Sequence, residues 1–463
     1  MIKKQKEVAV NAAPVVTASS NYVRSTSREY SIYVCSSRAI PNISDGLKDS
    51  QRKALWMLRN KSDKIKTVSL SGEMISEGIY LSGDVSASMA ISMLAAPYVN
   101  NVPLIHGIGA FGTRVAPVEG IGAPRYTYIK KTSLTDALVY QDKDIIPLKD
   151  NYDGSVQEPQ HFLPLIPLVL LNGVSGIAVG WSTSILPRNL KKLIVATQAA
   201  LAGNEPKGLE PAYDYLKCSV KQLEANVWEL TGTALIADTS TVLITELPPG
   251  MTLEAFKKRL NKMEEEDKIH SYTDKSTSSI NVTVKFKRGT VANWTEAQAI
   301  DYFKLRERIT ERIVVIDWNG QSIRQYDSAA TVVKEFVEWR LKWYTNRYQK
   351  KLDDDSYELK YWQGLKACFD DKLPERLIKK VDKDAILQDV QSVTAAIGLD
   401  AKQLDNIVSL STYKWAKDFY STIKLNISDL QAKIKEHKAI LKSPQRLRDI
   451  FNGELEDLKK MKF

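Results

Sequence analysis

A chain of 463 residues, 43% of them apolar, is too long for one ordinary core and apolar enough to bury roughly two to four. Sixty-five Lys and Arg against 55 Asp and Glu leave a net charge of +10, which suits a polyanionic partner without requiring one. Only three cysteines, Cys35, Cys218 and Cys368, and four histidines exclude a disulfide framework and a Cys/His zinc site, and they fit a reducing cytoplasm. The basic start MIKKQKEVAVNAAPVV lacks the apolar stretch of a secretory signal. The most apolar run, 162–171, carries Pro164 and Pro167 and is about half the roughly 20 residues a membrane span needs, so it is expected in a core.

Residues 1–28 are polar and Ser/Thr-rich and read as a flexible arm. From 29 to 66 the pattern turns helical, with Ala54, Leu55, Trp56, Met57 and Leu58 apolar and Arg52, Lys53 and Arg59 on the polar side. A second helix, 87–94, follows the turn Ser82-Gly83-Asp84, and two short helices before a glycine-rich loop suit a helix-turn-helix or winged-helix reader of DNA. In that loop, 105–132, Gly107, Gly109, Gly112, Gly120 and Gly122 alternate with Pro117 and Pro124, which excludes a long helix. Gly107-x-Gly109-x-x-Gly112 therefore matches the dinucleotide fingerprint only as a string, because that fingerprint must open a helix. No Walker A lysine motif occurs, so any use of ATP falls to a partner.

Residues 163–250 alternate apolar runs with Gly and Pro and read as strands joined by tight turns. A helix over 253–266 and a period-two strand over 280–286 continue an α+β domain. Beyond it Val332, Phe336, Trp339 and Trp343, then Ile427, Leu430, Ile434, His437 and Leu441, recur at helical spacing, predicting an antiparallel pair of long helices with a small helical knob between them. Asp142-x-Asp144 and Asp382-x-Asp384 have a metal-ligand spacing but no Gly-rich acidic strand before them, and are expected to be solvated turns.

The sharpest chemical feature is Arg125-Tyr126 at the end of the glycine-rich loop. A phenol is a poor nucleophile until a cation favours its phenolate, and a guanidinium presents donors shaped for phosphate. Attack of Tyr126 on a phosphodiester would store the bond energy in a phosphotyrosine and allow resealing.

Four blocks in order resemble the breakage-reunion subunit of type IIA DNA topoisomerases: RAIPNISDGLKDSQRKALW (38–56), IGAFGTR with APRYT (108–127), DNYDGS (150–155) and LNGVSGIAVGWSTSILPRN (171–189). The resemblance is to gyrase A-like chains, and in scale it is nearest to the medium subunit of T-even bacteriophage enzymes. It implies an α+β multidomain fold: a flexible arm (1–28), a winged-helix breakage-reunion domain (29–160), a tower domain (161–332), and a coiled-coil arm with a helical C-terminal dimer gate (333–463, gate about 371–411). It implies Tyr126 as nucleophile with Arg125 and Arg38 beside it, Lys48, Arg52 and Lys53 on the DNA backbone, and Ile177 as an apolar wedge that kinks the duplex. It further implies a homodimer on double-stranded DNA, with Mg²⁺ and ATP bound by ATPase/Toprim partner subunits, working in a host bacterial cytoplasm during phage infection. Relaxation without DNA wrapping is expected, because the chain ends just after the returning helix. The competing reading is a non-catalytic, architectural DNA-bending dimer that kept the fold.

Tyr80-Leu81-Ser82-Gly83 lacks the histidines usual in the family's recognition turn, and Val85 and Met89 stand where gyrase holds quinolones through a serine and an acid. A weak quinolone response is expected; fluoroquinolone poisoning at gyrase-like concentrations in a cleavage-complex assay would overturn that expectation.

Overall fold

In the computed structural model, which describes residues 19–461 apart from 152, 378–381 and 416, the chain opens with helix α1 (Ser19–Val34). Residues 19–28, expected in the flexible arm, are helical instead, because no Gly or Pro interrupts the segment. The rest of that arm lies outside the described residues. No residue of α1 is buried, and it runs into a π-helical turn, Cys35–Ala39.

Helix α2 (Asp49–Leu58) starts where the Gln51 side-chain oxygen accepts the Lys48 N–H at 3.0 Å, and it buries Ala54, Leu55, Met57 and Leu58. It packs against α3 (Thr67–Ser76) and α4 (Asp84–Ala95). Helix α4 begins at Gly83, whose φ of 93° suits a residue without a Cβ. Strands β1 (Ile65–Lys66), β2 (His106–Ile108) and β3 (Tyr128–Lys130) form an antiparallel sheet in the order β1-β3-β2 beside these helices.

After α5 (Ser133–Thr135) come two hairpins, β4–β5 (Leu148–Asp150, Gln157–Pro159) and β6–β7 (Val174–Ile177, Ser182–Ile185). Helix α6 (Leu190–Leu201) follows, in a stretch expected as strands and turns. Asn189 caps it by accepting the Lys192 N–H, and Leu190, Leu193, Ile194, Thr197 and Leu201 form its buried stripe. Pro187 beside that stripe reads as strand punctuation when the 3.6-residue period is not tested.

Two further sheets follow, β8–β9 (Ser219–Glu224, Val227–Thr231) with β14 (Arg306–Thr310), and β10-β11-β13-β12 (Thr233–Asp238, Thr241–Glu246, Val282–Lys285, Ser271–Asp274), and the four-stranded one carries a second core. Helices α7 (Leu253–Glu265) and α8 (Glu296–Tyr302) supply Phe256, Leu260 and Ala299 to that core, which Phe303 also joins. Strands β15 and β16 (Ile313–Ile316, Ile323–Tyr326) return to the first core.

Helix α9 (Ala329–Asp370) then runs 42 residues and packs along α13 (Lys417–Leu441). Tyr348 meets His437 while Trp362, further along α9, meets Phe419 near the start of α13, so the pair is antiparallel. Helices α10 (Leu373–Leu377), α11 (Lys383–Thr394) and α12 (Ala401–Val408) close the far end around Leu365, Cys368, Val390, Ile407 and Ile423. Helix α14 (Pro444–Lys460) folds back onto α6 and α9.

The expected domain boundaries at 161 and 333 do not coincide with the cores. Phe162, Leu171, Leu193, Ile313, Phe336, Tyr344, Phe451 and Leu455 all share one core with Leu55 and Ile91, because burial follows the packed face rather than chain order. The second core is confined to residues between Ala234 and Leu305.

Asp142 is not a solvated turn. It is 5% exposed and accepts hydrogen bonds from Arg340 and Arg347 of α9, while Arg347 also pairs with Glu454 of α14. Burial raises its carboxyl pKa, but the two guanidinium groups outweigh that and hold it below the ordinary range. Its contribution to stability is therefore present at neutral pH and lost as pH falls through that depressed value. Asp142→Ala, which leaves the buried Arg340 without a carboxylate and Arg347 with Glu454 alone, is expected to lower the unfolding free energy by roughly 3–5 kcal/mol in urea titration; a loss within experimental error would contradict this account.

Candidate functional site

The glycine-rich loop is fastened at its exit to the first turn of α3, where helix N–H groups lack intrahelical partners. Thr67 N–H donates to Thr127 O at 3.0 Å, Val68 N–H to Pro124 O at 3.1 Å, and the two threonine hydroxyls meet at 2.8 Å. Within the loop Gly122 N–H donates to Ala110 O and Tyr98 Oη to Pro117 O at 2.7 Å. A Cβ at Gly112 or Gly120 would overlap the carbonyl of Pro117 or Ala116, so these glycines are required by space. Arg114 ties the loop to the second core, pairing with Glu246 at 3.1 Å and donating to the carbonyls of Leu247, Pro248 and Met251.

This frame presents Tyr126, which is 70% exposed, with the Arg125 guanidinium 4.8 Å from its ring centroid. Arg125 is exposed and forms no ion pair among the described residues, so its donors are open to an anion.

A second cluster surrounds the β6–β7 hairpin. Ile177 pairs with Ser182, and the tip closes with Ala178 N–H donating to Trp181 O across Gly180, whose φ is 78°. A Cβ at Gly176 would overlap the Ala39 carbonyl oxygen, so the hairpin lies directly on the Cys35–Ala39 turn that carries Arg38. Arg38 is exposed, 5.3 Å from the Tyr33 ring centroid. Lys48 Nζ donates to Ser175 O at 2.8 Å, and burial lowers its pKa. Ile177 is 88% exposed, an unusual state for a large aliphatic side chain and one that offers apolar area to a partner. Helix α2 packs on both the Cys35–Ala39 turn and α3, and so links the two clusters.

Two residues expected on the DNA backbone are engaged elsewhere. Arg52 is 5% exposed and pairs with Asp45 through two hydrogen bonds of 2.7 and 2.9 Å, with a third to Leu47 O. Lys53 is held by Asp49 and Glu158, each at 2.9 Å. Both face inward because Asp45, Asp49 and Glu158 meet that side of α2. Arg114 carries no local sequence signal, since all its partners lie more than a hundred residues away.

No three His, Cys, Asp or Glu side chains converge as a metal site among the described residues. Asp142 is committed to arginines and Asp382 caps α11 by accepting the Ala385 N–H at 2.8 Å, so neither acidic pair fits a catalytic Mg²⁺. No helix of the described residues is long and apolar enough to cross a membrane.

Residues 38–456 match the family of the DNA gyrase/topoisomerase IV A-subunits. The chain belongs to that family. DNA topoisomerase 2-alpha of Homo sapiens is 32% identical over 321 residues, 66% of this chain and 21% of that protein. DNA topoisomerase 2 of Bombyx mori is 30% identical over 366 residues, 76% of this chain and 23% of that one. The chain thus spans about a fifth of the length of the relatives it matches. Among solved structures, the Plasmodium falciparum topoisomerase II DNA-binding, cleavage and re-ligation domain superposes with a TM-score of 0.83 over 93% of this chain and 63% of that one, at 23% identity, a likeness of fold.

The span shared with the gyrase/topoisomerase IV family includes Arg38, the tyrosine loop and the hairpin, and begins just after α1. Arg52→Ala should act on stability, lowering the unfolding free energy by roughly 3 kcal/mol or more because Asp45 would be buried unpaired. Urea denaturation reads this; an undiminished midpoint would return Arg52 to the pool of DNA contacts.

Proposed function

We propose that the chain is the DNA-cleaving and religating subunit of a type IIA topoisomerase, working as a homodimer on double-stranded DNA. The observation that carries this reading is an exposed phenol, Tyr126, beside a guanidinium, Arg125, that has no ion pair among the described residues, on a loop whose backbone passes too close at Gly112 and Gly120 for any side chain. The exposed Ile177 supports it, since an apolar wedge that unstacks one base step bends DNA toward the protein.

In the proposed reaction Tyr126 Oη attacks a backbone phosphorus. An O–P bond to the phenol forms, the P–O3′ bond breaks, and the 3′ oxygen leaves as a hydroxyl while the phenol proton is given up. Arg125 and Arg38 balance charge on the phosphate oxygens. The 5′-phosphotyrosyl link keeps the bond energy, so attack by the 3′ hydroxyl reverses the step. One break per protomer opens a double-strand gate, and the far end of the α9–α13 arm forms the second gate of the dimer. In this reading the helices α2–α4 with their three-stranded sheet are the winged-helix unit and the second core is the tower.

Mg²⁺ and ATP belong in this reading to partner subunits carrying Toprim and ATPase domains, and Asp142 and Asp382 of this chain are engaged instead by arginines and by the α11 N-terminus. With no wrapping module invoked, the activity is relaxation, and the setting is the cytoplasm of a phage-infected bacterium.

The test mixes the chain with its Toprim/ATPase partner, Mg²⁺ and duplex DNA, then denatures with detergent. A covalent protein–DNA product is expected from the unaltered protein and none from Tyr126→Phe. DNA bending without any covalent product would instead establish the architectural dimer, and equal product from Tyr126→Phe would refute Tyr126 as nucleophile.

A further inference from the structure

We propose that Arg312 grips a DNA phosphate beside the Ile177 wedge, making it a DNA-positioning residue that, with Lys48, clasps the bent duplex on both strands of the hairpin. The proposal rests on the DNA-cleaving reading above. Arg312 lies between β14 and β15, far in sequence from the hairpin, and is exposed. Its N–H donates to Ser184 O and its carbonyl accepts from Ser184 N–H, both at 3.0 Å, with the Thr183 hydroxyl donating to the same carbonyl at 3.3 Å. These bonds fix the Arg312 backbone against β7. Its Nη1 then donates to the Ser182 hydroxyl at 3.0 Å, and Ser182 is the residue paired with Ile177.

The charge of Arg312 is unbalanced where its neighbours' charges are not. Arg306 is neutralised by Glu229 and Asp301, Arg308 by Glu224 and Arg324 by Glu335, while the adjacent Glu311 is taken by the buried Arg188. Among the described residues no carboxylate forms an ion pair with Arg312, and a single neutral hydroxyl occupies one of its donors. It shares this state with Arg38 and Arg125. On the other strand of the hairpin, the one that carries Ile177, Lys48 donates to Ser175 O, so each strand of the hairpin holds a cation. An inserted wedge opens one base step, and the phosphates flanking that step lie on both sides of it. A guanidinium held by one hydrogen bond keeps the rest of its planar fork for a phosphate oxygen pair.

The full chain is titrated with a duplex oligonucleotide at several salt concentrations, and bending is read by energy transfer between dyes on the two DNA ends. Arg312→Ala and Arg312→Gln should each reduce the slope of log K against log salt by about 0.9 per protomer and reduce the bend, with melting temperatures unchanged. Arg312→Lys should restore the slope but not the full bend, because an ammonium lacks the fork. If both neutral variants keep the original slope and bend while Ile177→Ala loses the bend, the clasp is refuted and the cleavage reading stands. If the unaltered chain neither binds nor bends DNA, the functional reading falls and the clasp with it.

Discussion

Asp142 is the point at which three distant stretches of chain are held in one geometry. A buried carboxylate facing Arg340 and Arg347, with Glu454 completing the set, joins the tyrosine-bearing core to the long arm helix and to the last helix. The favourable part is the mutual compensation: each charge is costly to bury alone, and each partner removed leaves the others exposed to that cost. The network adds directional hydrogen bonds to the apolar packing by which Phe336 and Tyr344 already seat the arm helix in the core. Tyr344 lies in the same layer, stacked on Phe451 and bonded to Glu454, and fills the space between the charges.

From that anchored core two exposed features project, and backbone proximity positions both. The tyrosine loop is shaped by carbonyls that pass too close to Gly112 and Gly120 for any side chain, and it is fixed at the far side by Arg114. The hairpin is set by Gly176 lying on the Ala39 carbonyl. An exposed phenol and an exposed isoleucine are thus held rigidly by buried surroundings, which is the combination a site needs when its ligand is large and its reacting atoms must be placed closely.

Much of the fold is legible in pattern. The periodic Val332, Phe336, Trp339 and Trp343 mark the start of α9, and the run around Leu55 marks α2. Helix α6 is not legible in the same way, since its stripe of Leu190, Leu193, Ile194 and Thr197 sits among Gly and Pro that punctuate strands on either side. Tyr126, Arg125 and Ile177 stand out as motif residues, and the structure leaves all three outward. Arg52 and Lys53 depart from expectation for a physical reason: a basic residue on a helix reads as solvated or phosphate-bound until the carboxylates it meets are known, and Asp45 and Glu158 meet these two only in the folded chain.

The sequence alone therefore determined the residue chemistry: a phenol beside a guanidinium, glycines where side chains cannot fit, and apolar periods that make long helices. Tertiary structure decided which cations remain free. Ion pairing depends on distance in space, and partners such as Asp142 with Arg340 or Arg188 with Glu311 are separated by more than a hundred residues. The same long-range pairing leaves Arg312 unmatched beside Ile177, a juxtaposition that no local window of the chain contains.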